Sequence, residues 1–329
     1  MMEDRFSTPS GVPRRERRGA RQTAGARNRR STPRGAPRRP PLVSLVIPTL
    51  NEARNLPHVF GALPDGLHEV VLVDGGSTDD TVEVARRLRP DVVIVRQARS
   101  GKGNALASGF AACTGDAIVM IDADGSTDPT EITKFVETLI NGAEFAKGSR
   151  FGQGGHSEDI TPLRRVGNEG LNMVVNTLFK TRFTDLCYGY NAFWRRVVPV
   201  MDLPSTELPP RPDGKKLWGD GFEIETLINI RVAGSGVRVK EVSSIERLRI
   251  HGTSNLNTFR DGARVLRTIF SEFHRMTLQR RAAAKATASS KRRTLSKIVP
   301  VLAVPGGNWY GRVDALLTAE EFAEKSEAA

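Results

Sequence analysis

The sequence predicts an α/β fold in which helices cover both faces of a mainly parallel sheet. Short apolar runs alternate with segments of helical pattern between residue 42 and about residue 150, and this alternation is typical of parallel sheets. Acidic side chains follow three of the apolar runs. Because ligands of such sheets bind at the carboxyl ends of the strands, we expect these acids to share one crevice.

The predicted elements follow one another in a regular order. A buried strand is expected to run from residue 117 to residue 122, since five apolar residues in a row stand between turn signals. Pro48 closes the first strand, Asn51 is expected to cap the first helix, and Asp128 begins the fourth helix. The other predicted strands are 42–47, 69–73, 92–95, 145–148, 237–241 and 245–250, and the predicted helices end near 60, 88, 113, 140 and 179, with two more after 222 and over 259–275.

The net charge of +12 is concentrated at the start of the chain. The first 40 residues hold twelve arginines and three acids, which gives +9 and leaves +3 for the other residues. Their Arg, Pro, Gly and Ser content predicts a disordered tail over 1–41. A solubilising role is favoured for this tail, and no specific nucleic-acid partner is expected.

Cysteine usage and hydropathy indicate where the protein works. Cys113 and Cys187 have no metal-binding spacing, which favours reduced thiols in a cytoplasm. No apolar run approaches the ~18–20 residues that cross a bilayer. We therefore expect a cytoplasmic protein, or one bound peripherally to the inner face of a membrane.

Asp122 and Asp124 form the most informative pair. They are two residues apart, so an extended backbone would direct both to the same side. Two like charges this close repel each other unless a cation lies between them. Mg²⁺ or Mn²⁺ suits such oxygen ligands and usually completes its shell with substrate phosphates. An EF-hand is excluded because Gly125 stands at the fourth position of the motif rather than the sixth.

The glycine motifs of common nucleotide-binding proteins are absent. Residues 48–52 follow the first strand without a Gly-x-Gly-x-x-Gly pattern, and Gly101 with Lys102 lacks the remainder of a P-loop. These absences argue against a dinucleotide-dependent dehydrogenase and a P-loop ATPase. A nucleotidyltransferase is disfavoured for the same lack of a glycine-rich loop after the first strand.

Four motifs in order resemble the signatures of family 2 glycosyltransferases. They are VIPTLNE at 46–52, VDGGSTD at 73–79, GKGNA at 101–105 and DAD at 122–124. The resemblance covers roughly 42–275 and is strongest to the branch of polyprenyl-phosphate (dolichyl-phosphate) mannosyl- and glucosyltransferases. It implies the GT-A fold as a single main domain, a nucleotide-diphosphate sugar donor and a divalent metal, Mg²⁺ or Mn²⁺.

The resemblance also implies site residues. It implies donor binding by Pro48, Asn51, Glu52, Asp74, Lys102, Asp122 and Ser254, and metal binding by Asp124, Asp122 and His251. For His251 a structural role is the alternative. Arg150 matches a position that can face an acceptor phosphate, for which a planar guanidinium is suited, and a surface arginine is the alternative. Asp220 matches a base or acceptor-binding acid, with Glu223 and Glu225 as alternatives.

The implied reaction is inverting transfer of a sugar from a nucleotide-diphosphate donor. Polyprenyl phosphate at a membrane surface is the first acceptor, and a soluble or cell-envelope precursor is the second. A non-catalytic nucleotide-sugar-binding module is the alternative outside enzymes. The basic amphipathic helix at 259–275 can pack on the domain or lie on an anionic bilayer, and packing is favoured.

The predicted domain has two halves between two tails. Residues 42–150 form the nucleotide-sugar-binding half and 151–276 the acceptor half of the domain 42–276. Residues 277–329 are predicted to be a linker-like basic segment followed by an acidic tail.

Overall fold

The computed structural model describes residues 39–252 and 258–298, with side chains of the last helix described over 262–286. The strands are β1 (Val43–Thr49), β2 (Glu69–Asp74), β3 (Val93–Arg96), β4 (Ala117–Met120), β5 (Phe145–Ser149), β6 (His156–Ser157), β7 (Asn191–Trp194), β8 (Val239–Ser243) and β9 (Ile245–Glu246). The helices are α1 (Leu56–Gly61), α2 (Thr81–Leu88), α3 (Lys102–Ala112), α4 (Ile132–Ile140), α5 (Pro162–Phe179), α6 (Ile224–Gly234) and α7 (Thr258–Ile298), with 3₁₀ turns at Pro129–Glu131 and Arg195–Met201.

Seven strands form one sheet in the order β3-β2-β1-β4-β7-β5-β8. Its pairs are parallel except those of β7, which runs antiparallel to both β4 and β5. The predicted mainly parallel sheet is therefore confirmed. Because β2, β1 and β4 are neighbours and parallel, their carboxyl ends meet at one edge of the sheet.

Helices cover both faces of this sheet, as the sequence predicts. On one face, side chains of α3 and α6 such as Leu106 and Ile228 pack against Val46 and Val71. On the other face, α1, α2 and α4 pack against the alternate residues of the same strands, among them Leu45. The strands thus bury both of their faces, which explains why they appear in the sequence as continuous apolar runs.

Three predicted boundaries are wrong in informative ways. Strand β1 continues through Pro48 to Thr49, because its pairing with β4 ends at Val46 and Met120 and the missing N–H of proline costs nothing on that side. Strand β4 ends at Met120, so the acidic pair lies in the loop that follows. The predicted strand 245–250 ends at Glu246. Beyond it, Arg247 donates its backbone N–H to the carbonyl of Ser126.

Three further elements differ from the prediction. Asn51 does not cap α1, since that helix begins five residues later with Asn55 at its N-cap. Strand β7 was not predicted, although it separates β4 from β5 in the sheet. Helix α7 continues to Ile298 and so includes 277–298, where the composition predicts a linker-like segment. Within residues 39–252 and 258–298, no helix is both long and apolar enough to cross a bilayer.

Candidate donor and metal site

Lys102 joins two carboxylates at the carboxyl edge of the sheet. Its ammonium nitrogen Nζ lies 2.6 Å from Oδ1 of Asp122 and 2.6 Å from Oε1 of Glu225, and all three side chains are mostly buried. Burial alone would lower the pKa of Lys102, but the two carboxylates outweigh it and raise the pKa. Burial raises the pKa of Glu225, and the neighbouring Lys102 opposes that rise. The glycine-flanked start of α3 therefore delivers a firmly protonated lysine to the acidic pair.

Asp124 is held by a different cation. Its Oδ2 lies 2.8 Å from Nη1 of Arg249, and its Oδ1 accepts a hydrogen bond from the backbone N–H of Ser126 at 3.0 Å. The backbone N–H of Ile250 donates to the carbonyl of Asp124 at 3.3 Å. The chain after β9 therefore lies against the acidic loop. The Nε–H of Arg249 is buried without a hydrogen-bond partner among the described residues.

The loops after β1 and β2 bring two more predicted residues to this edge. Asp74 ends β2 with its side chain 1% exposed, and its Oδ1 accepts from the backbone N–H of Ser77 at 3.0 Å. Asn51 has a left-handed backbone (φ 60°), and its Oδ1 accepts from the backbone N–H of Thr78 at 2.8 Å. These bonds fix the two loops to each other. Pro48 lies beneath them, within β1.

Glu52 completes the group of acids. Its Oε2 accepts a hydrogen bond from Nδ2 of Asn55 at 2.6 Å. Burial raises the pKa of Glu52, the bond from Asn55 opposes the rise, and repulsion by Asp124 and Asp122 adds to it. The repulsion indicates that the three carboxylates belong to one electrostatic site.

The charge balance of this site fits a divalent cation. Four carboxylates, those of Glu52, Asp122, Asp124 and Glu225, are contacted by two cations, Lys102 and Arg249. The buried Lys147 also acts on Glu225, and the site still keeps a net negative charge. Hard divalent ions are held by such carboxylates together with substrate phosphates. No three His, Cys, Asp or Glu side chains among the described residues form a complete metal-binding cluster. The arrangement therefore fits an ion that shares its coordination with a bound diphosphate.

His251 does not join the acidic pair. Its ring lies 5.8 Å from the ring of His58, and its carbonyl accepts from Nδ2 of Asn55 at 3.3 Å. The prediction of His251 as a third metal ligand has no support in this geometry, because the side chain faces α1. The alternative structural role agrees with these contacts. Ser254 lies outside the described residues.

Asp220 is not free to act as a base. Its two carboxylate oxygens lie 2.7 Å from Nε and 2.9 Å from Nη2 of Arg99, and both side chains are almost fully buried. Glu223 accepts hydrogen bonds from the backbone N–H groups of Gly219 and Gly221. Of the three predicted alternatives for a base, Glu225 alone contacts the acidic site, through Lys102. In this structure Asp220 is the partner of Arg99, and its role as a base or acceptor-binding acid stays a prediction.

Arg150 is likewise engaged by acids. Its Nε and Nη2 donate to the two oxygens of Asp185 at 2.7 Å and 3.0 Å, and its Nη1 lies 2.9 Å from Oε2 of Glu246. Its guanidinium also lies 4.9 Å from the centre of the Tyr188 ring. The predicted contact with an acceptor phosphate would require Arg150 to share or leave these two carboxylates. The alternative of a surface arginine is wrong, since the side chain is 11% exposed.

Sequence reasoning missed two arginines of this region. Arg249 follows Arg247 at a spacing of two near the end of a predicted strand, and that spacing was the one available signal that a basic side chain could face the acidic loop. Arg99 gave no signal, because its partner Asp220 is 121 residues away in the sequence. Burial raises the pKa of the Cys187 thiol to about 12, which disfavours a nucleophilic role.

The sheet is mainly parallel, acidic loops follow β1, β2 and β4, and the sequence has no glycine-rich phosphate loop. This combination defines a GT-A type of transferase. The chain belongs to glycosyl transferase family 2, whose family model matches residues 44–198, and it is a glycosyltransferase. It is 32% identical over 239 residues to the glycosyltransferase AglJ of Haloferax volcanii, which covers 72% of each chain.

Two other proteins are similar to the chain, one in sequence and one in fold. It is 34% identical to the dolichol-phosphate mannosyltransferase of Pyrococcus furiosus over 65% of this chain and 59% of that protein. The fold is similar to that of glucosyl-3-phosphoglycerate synthase from Mycobacterium tuberculosis in complex with Mn²⁺, UDP and phosphoglyceric acid. That likeness has a TM-score of 0.54 at 22% identity and covers 71% of this chain and 78% of that one.

Proposed function

We propose that this glycosyltransferase moves a sugar from a nucleotide-diphosphate donor to a polyprenyl phosphate, with inversion and with a divalent metal at Asp122 and Asp124. The net negative charge of the acidic site supports the metal. When bound, the ion would offset the charge that develops on the leaving diphosphate. The similar structure that contains Mn²⁺ and UDP supports the same ion and donor classes.

The residues of this chain have separate tasks in the proposed donor complex. Asp74 and Glu52, at the ends of β2 and β1, would bind the nucleoside. Lys102 would share its positive charge between Asp122 and the diphosphate, because an ammonium is a strong phosphate ligand. Arg249 is placed to do the same from the other side of the pair, and its Nε–H has no other partner among the described side chains. These cations favour the diphosphate as the leaving group.

The contacts of the carboxylates in 220–225 indicate which kind of acceptor the enzyme uses. Asp220 is bonded to Arg99, Glu223 to backbone N–H groups, and Glu225 to Lys102. A hydroxyl acceptor needs a free base to remove its proton, and none of these three carboxylates is free. A phosphate monoester is already largely ionised at neutral pH and needs no base. The mannosyltransferase relative, which is named for dolichol phosphate, agrees with a lipid phosphate.

The exposed face of α7 supports a lipid rather than a soluble acceptor. The side chains of Val265 and Ile269 pack inward, whereas Leu266 and Phe270 on a neighbouring face of the helix are exposed, and the partly exposed Phe273 packs edge-on against Phe179. Over 262–286 the single acid is Glu272, which is buried and bonded to arginines, while the exposed charged groups are basic. An apolar stripe flanked by cations suits the surface of an anionic bilayer. We propose that the enzyme works peripherally on such a surface, at the cytoplasmic side.

A transfer assay tests the proposal directly. Labelled GDP-mannose or UDP-glucose would be offered with Mn²⁺ and either a polyprenyl phosphate in detergent or phosphoglyceric acid as a soluble acceptor. The proposal expects label in the organic phase with polyprenyl phosphate and none with Asp124→Asn. Label on the soluble acceptor alone would replace the lipid by a soluble precursor. Binding of donor without transfer to either would favour a binding module.

A further inference from the structure

Arg99 connects three parts of the chain that are distant in sequence. It lies in the turn between β3 and α3 and is 5% exposed. Its Nε and Nη2 hold both carboxylate oxygens of Asp220. Its Nη1 donates to the carbonyl of Ser205 at 2.9 Å and to that of Leu208 at 2.7 Å. One side chain therefore ties the proline-rich segment 202–216 and the turn before α6 to the beginning of α3.

The turn at Asp220 packs directly on the donor site. The carbonyl of Asp220 accepts from the backbone N–H of Gly103 at 2.9 Å. A Cβ atom at Gly103 would lie only 1.8 Å from the carbonyl oxygen of Gly219, so the two backbones touch where Lys102 begins α3. Helix α6 begins four residues after Asp220, and its Glu225 contacts Lys102. The position of the turn therefore sets the position of the Lys102–Glu225 pair.

A buried ion pair is a weak source of stability, because removing both charges from water costs about as much as their attraction returns. What such a pair can do is fix one conformation of the two segments that it joins. From this geometry we infer that Arg99 is a positioning residue for glycosyl transfer, acting through Asp220 on Lys102 and Glu225 and holding segment 202–216 against the site. The inference rests on the proposed donor site at Asp122 and Asp124.

Conservative variants of the pair provide the test, and the chain offers a matched control. Arg99→Lys keeps the charge but loses the fork of hydrogen bonds, and Asp220→Asn keeps the shape but loses the charge. Arg211 and Asp213 form a second two-bond pair, at 2.9 Å and 2.8 Å, that is exposed within the same segment. Arg211→Lys, which removes the fork from that exposed pair, should therefore behave as wild type.

The readouts are donor binding and the accessibility of segment 202–216. We expect both Arg99→Lys and Asp220→Asn to weaken binding of UDP or GDP with Mn²⁺ by about tenfold, the scale of a displaced binding group. Trypsin should cut faster after Lys215 or Lys216 in both. The double variant should cost less than the sum of the two single variants, since both disrupt the same ion pair. A base role for Asp220 predicts the opposite: Asp220→Asn would lose turnover with binding and cleavage unchanged.

Two further comparisons keep the test decisive. If the single variants unfold, Arg99→Met with Asp220→Leu replaces the charges by apolar side chains of similar size and should restore folding. This double variant still lacks the hydrogen bonds from residue 99 to the carbonyls of Ser205 and Leu208. Trypsin must therefore cleave 202–216 faster in it than in wild type. A folded double variant with wild-type cleavage and binding overturns the inference. If wild type binds neither UDP nor GDP, the proposed donor site fails, and the cleavage comparison still decides whether Arg99 holds the segment.

Discussion

The ammonium of Lys102 lies 2.6 Å from Oδ1 of Asp122, at the position where a metal ion would also be attracted. The same ammonium lies 2.6 Å from Oε1 of Glu225, so one lysine bridges acids from two different parts of the chain. A divalent cation that approaches Asp122 in the absence of nucleotide must compete with this lysine. In the proposed donor complex a bound diphosphate would remove the competition, because its oxygens would accept hydrogen bonds from the lysine.

Lys102→Met should therefore separate metal binding from nucleotide binding. Without the ammonium, Mn²⁺ alone should bind about tenfold more tightly, a difference of ~1.4 kcal/mol. UDP or GDP with Mn²⁺ should bind more weakly, because the diphosphate loses a cation. Titration calorimetry with Mn²⁺ alone and then with nucleotide measures both effects. Weaker binding of Mn²⁺ alone by Lys102→Met would mean that the lysine does not compete for Asp122.

Gly103→Ala should damage the site through the backbone. The new Cβ would meet the carbonyl oxygen of Gly219 at 1.8 Å, which forces the start of α3 away from the turn. We expect a loss of about 1–3 kcal/mol in the free energy of unfolding, typical of overpacking. Gly170→Ala in α5 is the control, since nothing lies within 4 Å of its Cβ position. It should gain about 0.5–1 kcal/mol as a helical alanine. Urea unfolding of both variants checks the pair, and equal stabilities would contradict the close contact.

Glu272→Gln should loosen α7 in a pH-dependent way. Glu272 is buried, and its oxygens accept from Arg231 at 2.8 Å and 2.9 Å and from Arg275 at 2.8 Å. Burial would raise the pKa of Glu272, but the two arginines lower it below its ordinary value of 4.5. Its contribution to stability is thus present above pH 4.5 and lost as the pH falls through the lower folded-state pKa.

We expect Glu272→Gln to cost about 3 kcal/mol at pH 7, the scale of a broken buried ion pair. The difference in the free energy of unfolding between wild type and Glu272→Gln should narrow as the pH falls below 4.5. Urea unfolding at pH 7 and pH 4 measures it, with the exposed Glu207→Gln as a control that should match wild type. A gap that widens on acidification would show that Glu272 is not held ionised by the arginines.

Phe270→Ser should reduce binding to membranes. Phe270 is 53% exposed on the apolar stripe of α7 and has basic neighbours. Sedimentation with vesicles of anionic phospholipid should bring down wild type and less of the variant, while purely zwitterionic vesicles should bind little of either. Leu88→Ser, at a 41% exposed leucine on α2, is the control and should sediment as wild type. Equal sedimentation of Phe270→Ser and wild type would remove α7 from the proposed membrane surface.

The local patterns of this sequence predicted the fold well. Helix α2 ends at Leu88, as predicted, and Asp128 accepts a hydrogen bond from the backbone N–H of Thr130 as a helix-capping residue should. Strand β7 escaped prediction because it is short and antiparallel, and its partners β4 and β5 lie far away in the sequence. Hydrophobic periodicity and helix capping depend on residues that are close in the sequence, whereas strand pairing depends on residues that are far apart in it.

The sequence predicted the location of the candidate site residues where it followed from strand ends, and it did not predict the orientation of their side chains. Asp74, Asp122 and Glu52 lie at the same edge because their strands are parallel neighbours. Asp220 and His251 are present at that end of the molecule but turn toward Arg99 and His58. A motif gives a residue its place along the chain, and only the packed structure decides which way its side chain points.

Thermal unfolding with nucleotides tests the central claim most directly. Wild type and Asp124→Asn would be heated with UDP, GDP or dTDP, each with and without Mn²⁺. Asp91→Asn, another carboxylate bonded to an arginine, is the matched control. The account predicts that one nucleotide raises the unfolding temperature by a few degrees, on the order of 1–3 kcal/mol of linkage. It predicts that this rise needs Mn²⁺, persists in Asp91→Asn and disappears in Asp124→Asn. A folded wild type stabilised by none of the three, or an Asp124→Asn stabilised as well as wild type, would contradict it.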